Sequence, residues 1–90
     1  MFAWFCEYYR EWSGEPVNLS IGLPSKEVAI HHGKVVARFN GYCAFWVMTK
    51  QEGVRELPVR VEYHSVSVSP RGHHQWRRPI SAPIAAKEER

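Results

Sequence analysis

The chain is 90 residues long, 44% apolar and 13% aromatic, with a formal net charge of +3, no aspartate and two cysteines. That length makes one domain with a small core, in which a deep catalytic cleft is hard to build. Two cysteines are too few for a disulfide scaffold, and no apolar run approaches the ~20 residues of a membrane span.

Residues 1–12, MFAWFCEYYREW, fit a helix better than a strand: Phe2, Phe5, Tyr9 and Trp12 step by three and four, and Ser13-Gly14 would end it. Aromatics favour strands, so a strand is the competing reading. The segment lacks the basic flank of a secretory signal, and a reducing, cytoplasmic setting is expected. Cys6 and Cys43 each sit in an apolar run that suits a free, buried thiol. Val17, Leu19, Ile21 and Leu23 alternate with polar residues and glycine between Pro16 and Pro24, which reads as an edge strand over 17–23. Residues 25–33 fit either a short helix capped by Ser25 and stopped at Gly33, or a strand through Val28 and Ile30; the strand is the favoured reading.

Asn40-Gly41 between two β-rich runs predicts a hairpin over 34–48, because Asn-Gly accepts the positive φ angles of a type I′ turn. CAFWVM at 43–48 is apolar on both faces, as in a central strand covered on both sides. From 57 to 63 alternation returns, with Arg60, Glu62 and His64 on one face and Val59, Val61 and Tyr63 on the other. Pro58 points to an edge position, and Val66 falls out of phase, so a bulge is expected near His64-Ser65. From Ser69 the periodicity ends. Three prolines suggest an extended arm, with one helical turn at 85–90. The fold expected is α+β: an N-terminal helix packed on a four- or five-stranded antiparallel sheet, divided into a body at 1–68 and a basic arm at 69–90. An all-β small barrel follows if residues 1–12 are a strand.

The arm holds five of the twelve cations and two of the nine anions, so the entire charge excess lies there and the body is neutral. Arg71, His73, His74, Trp76, Arg77 and Arg78 cluster within it and are the expected partner-binding residues. Arginine and tryptophan dominate interface hot spots, and a domain this small cannot easily bury twelve aromatics, so an exposed patch is expected. The five histidines lack zinc-ligand spacing, and adjacent histidines on a strand point to opposite faces; no metal or cofactor is expected. No nucleophile elbow, phosphate loop or deaminase pattern occurs. Glu62 and His64 share a strand face, but nothing completes a site around them, so no enzyme is expected.

These features fit a non-enzymatic protein acting by stoichiometric protein–protein interaction with an acidic surface. By analogy with small accessory proteins in general, it would suit an inhibitor from a virus or mobile element that blocks a host nucleic-acid-handling complex. The alternative is direct nucleic-acid binding, with arginines on phosphates and Trp76 stacked on a base. No membrane partner is expected. A homodimer through an edge strand, at 17–23 or 57–63, is a further expectation.

Overall fold

The computed structural model describes residues 1–11, 14–68 and 70–82, with backbone alone at Val68 and His74. Trp12, Ser13 and the expected turn at 85–90 lie outside them. The elements in order are β1 (Phe2–Tyr9), β2 (Asn18–Leu19), α1 (Lys26–Asn40), β3 (Ala44–Gln51), β4 (Val59–Val68), β5 (His74–Trp76) and β6 (Ile80–Ser81). The strands form one antiparallel sheet in the order β2-β1-β3-β4-β5, with β6 also on β4. The sheet is open, and the helix packs on one face of it.

The expected N-terminal helix is a strand. Trp4, Cys6 and Tyr8 face the helix, while Phe5, Glu7 and Tyr9 face away. β1 lies inside the sheet with apolar residues on both faces, so its period of two is hidden and a coincidental helical spacing shows instead. The aromatic preference for strands prevails.

The expected hairpin over 34–48 is also absent, because residues 34–40 complete α1. Ser25 caps this helix, its Oγ accepting from the Val28 N–H at 3.1 Å. Gly41 does take positive φ, at 72°, but as the left-handed residue that ends a helix, with the Tyr42 N–H donating to Ala37 O at 3.0 Å. Helix end and type I′ turn demand the same backbone angle, so Asn40-Gly41 could not distinguish them.

Gly33 is not a stop either. Ala29, Gly33 and Ala37 form the buried stripe of α1, and a Cβ at Gly33 would overlap the Phe45 ring on β3. The small stripe lets the helix close onto β1 and β3. Around it the core gathers Cys6, Tyr8, Leu23, Tyr42, Phe45 and Val47. Both cysteines are free. Burial pushes the Cys6 thiol up to about 11, and its Sγ donates to Ala29 O at 3.0 Å.

Residues 17–23 lie at a sheet edge, as expected, but only Asn18–Leu19 is a strand, and of the four alternating apolar residues only Leu23 is buried. They follow β1 with one extra residue between the Cys6–Ser20 bond and the Trp4–Leu23 bridge. Residues 57–63 are only partly an edge: β4 begins at Val59, and β6 covers its outer side from Val61 to Tyr63. The bulge falls at Val61 rather than near Ser65: Val47 pairs with Glu62 and Met48 with Arg60. This extra residue turns Arg60 to the face opposite Glu62 and His64.

Candidate functional site

The six expected partner-binding residues lie along the outer edge of the sheet. A turn at Gly72, with φ of 84°, reverses the chain after β4. Val66 then pairs with Trp76, and Tyr63 with Ile80. Between these pairs the outer segment has three residues where β4 has two, so Arg77-Arg78-Pro79 bulges outward. Backbone bonds from Arg77 N–H to Ser65 O and from Ala82 N–H to Val61 O, both 2.8 Å, hold the segment on either side. Arg71, His73, Arg77 and Arg78 are exposed, and His74 occupies β5.

Trp76 is placed differently from a free anchor. Its ring meets Phe45 edge-on at 5.5 Å, and the Lys34 ammonium stands 5.7 Å above it. It therefore pins the segment to its own core. Arg77 and Arg78 stand in the bulge between β5 and β6, and Arg71 in the turn that follows β4.

The sheet face away from α1 carries a second constellation. Strand pairing aligns Leu19, Glu7, Trp46, Tyr63 and Ile80 in one row across five strands. Phe5, Met48 and Arg60 form the next row on one side, and Tyr9, Ala44 and Ser65 on the other. At the centre, the Tyr9 O–H donates to Glu7 Oε1 at 2.8 Å. Arg60 Nη2 donates to the same oxygen at 3.1 Å and to Tyr9 Oη at 3.0 Å. The Arg60 guanidinium lies 5.3 Å from the Trp46 ring, and Trp46 and Tyr63 are 5.0 Å apart. Burial, with the Glu7 bond and charge, pushes the Tyr9 phenol up to about 12. Tyr9, Trp46, Arg60, Tyr63 and Ile80, with residues 14–16 as a wall, enclose a shallow hollow of about 510 Å³.

None of this network was singled out from the sequence, because Glu7 and Arg60 are 53 residues apart and meet only through strand register. The available signal was the aromatic count, too large for so small a core.

Glu62 and His64 do meet, with His64 Nε2 2.8 Å from Glu62 Oε1, and Lys26 completes an ion pair with Glu62 at 3.4 Å. His64 is only 2% exposed, stacked on Phe45 at 5.0 Å, with Nδ1 buried and without a partner. Burial holds its pKa below the ordinary value despite Glu62. This is a core histidine with no opening for a substrate. Among the described residues, no three His, Cys, Asp or Glu side chains converge as a metal site requires, and no helix is long and apolar enough to cross a membrane. No protein-family model, curated protein or solved structure matches the chain.

Proposed function

We propose that this is a non-enzymatic binding protein that acts by stoichiometric contact with an acidic surface of a protein partner, through the cationic edge of Arg71, Arg77 and Arg78. The placement of Trp76 supports this reading most. Arginine with an interleaved aromatic would suit single-stranded nucleic acid, where bases stack on the ring. Here the ring packs on Phe45 beneath Lys34, so its contacts are made within the protein. Guanidinium groups displayed on a fixed edge still match the carboxylates of a protein surface, and preorganisation lowers the entropy lost on binding.

Action by occlusion follows: a rigid domain covers an acidic or nucleic-acid-facing surface of a larger complex. An accessory or inhibitor protein of a virus or mobile element is the class this fits. The alternative, direct nucleic-acid binding, would place the same arginines on phosphates.

Affinity capture from nuclease-treated extract, with the chain and its Arg71→Glu/Arg78→Glu variant as baits, tests the reading. The expected result is a stoichiometric protein partner that survives nuclease treatment and is lost with the double variant. A partner that disappears with nuclease, or that ignores the charge reversal, would overturn it.

A further inference from the structure

We infer that the open face of the sheet is a self-association surface, covered by the same face of a second copy of this chain. The inference goes beyond the cationic-edge reading and does not depend on it. β3 is apolar on both faces, the pattern of a strand with two covers, yet α1 supplies only one. Opposite the helix, Tyr9, Ala44, Met48 and Ser65 are buried and Phe5, Trp46 and Tyr63 half-buried, with residues 14–16 as a wall at one side, while Leu19, Arg60 and Ile80 stay exposed.

The composition of the face permits its burial. Across the three rows the only charges are Glu7 and Arg60, already paired at 3.1 Å with Tyr9 as third member; Glu15, in the wall beside them, is exposed. The middle row is also nearly symmetric about Trp46, with aliphatic ends at Leu19 and Ile80, which are 55% and 59% exposed. A two-fold axis between the faces and parallel to β3 stacks this row on its own reverse. Leu19 then lies over the partner subunit's Ile80, and Tyr63 over the partner subunit's Glu7, a carboxylate to which its phenol can donate. An axis across the strands would instead set Glu7 over the partner subunit's Glu7. Two twisted sheets pack in this way at about −30°.

Five strands at about 4.8 Å spacing and three rows at about 7 Å make a face roughly 20–25 Å on a side. Two such faces bury about 1,000 Å², the threshold of a specific interface and the size of a weak, reversible dimer. Competing assembly by strand addition is blunted at both edges, because 17–23 and 77–79 each carry a bulge next to a proline or glycine.

Sedimentation equilibrium of the full chain over the micromolar range tests this. A reversible dimer is expected, and Ile80→Glu and Leu19→Glu should each weaken it at least tenfold (about 1.4 kcal/mol) with an unchanged circular dichroism spectrum. Phe39→Glu, on the exposed side of α1 at 84% exposure, should leave it intact. Should one glutamate variant unfold, the other carries the same test from the opposite edge. A monomer at every concentration, a dimer that survives both face glutamates, or one that Phe39→Glu dissociates would overturn the inference. Arg71→Glu/Arg78→Glu should not change the dimer, so failure here and failure of the partner reading are read separately.

Discussion

Gly33 shows how one residue sets the distance between layers. Glycine inside a helix costs about 1 kcal/mol relative to alanine, so Gly33→Ala would stabilise an isolated α1. In the protein the added Cβ meets the buried Phe45 ring, and overpacking of this kind costs about 1–3 kcal/mol. Phe45 is itself fixed between His64, Tyr8 and Trp76, so it cannot yield. The clash should prevail, and urea unfolding should show Gly33→Ala less stable by up to about 2 kcal/mol. Equal or greater stability would mean the helix stands further off.

His64 makes a second prediction at this scale. Its folded pKa is lowered from 6.5, by burial first, so it must be neutral in the native state. Lys34 and Lys26 add to that pressure, while Glu62 opposes it. Protonation would place a donor on buried Nδ1 with no acceptor. The unfolded chain takes the proton first as pH falls. The stability from neutral His64 is therefore complete above about 6.5 and declines as pH drops through that value toward the folded-state pKa. His64→Phe, which keeps the stack on Phe45, should flatten the fall in unfolding free energy between neutral and mildly acidic pH. An unchanged slope would assign it to other groups.

At the scale of elements, Trp76 ties the outer strands to the core. Large aromatics truncated in full cores cost about 3–5 kcal/mol; Trp76 is half-buried, so Trp76→Ala should cost about 2 kcal/mol. Hydrogen exchange should then quicken at the Arg77 and Ala82 amides, while β1 and β3 keep their protection. Loss of protection everywhere would make β5 part of one cooperative unit. The same scale shows what the sequence could reveal. Alternation at 17–23 gave the edge position but not the buried face, since Val17, Leu19 and Ile21 are exposed and only Leu23 is buried; in β1 and β3, apolar on both faces, it was illegible. In β4 the bulge at Val61 moved Arg60 to the opposite face from Glu62 and His64. Gly33 and Gly41 each satisfied two local readings, and only tertiary packing decides between them. The arginines of the edge were legible as a charge excess. The inward turn of Trp76 was not, since an interface anchor and a half-buried core aromatic have the same local sequence.

For the whole molecule, the two proposals place self-association and partner binding on different surfaces. The open face is apolar with its charges paired, and suits a second copy. The bulged outer edge is cationic and suits an acidic partner. A two-fold dimer would display that edge twice, so a partner with two acidic patches would gain affinity by bivalency.

The discriminating measurement is a salt titration of binding to labelled single- and double-stranded nucleic acid, for the chain and for Arg71→Glu/Arg78→Glu. The cationic edge as a protein-binding element predicts no saturable binding at moderate salt, and only weak association at low salt. Saturable binding whose logarithm falls with log salt at a slope of roughly −2 to −3, as about three phosphate contacts give, and which the double variant abolishes, would contradict it and identify phosphate as the target.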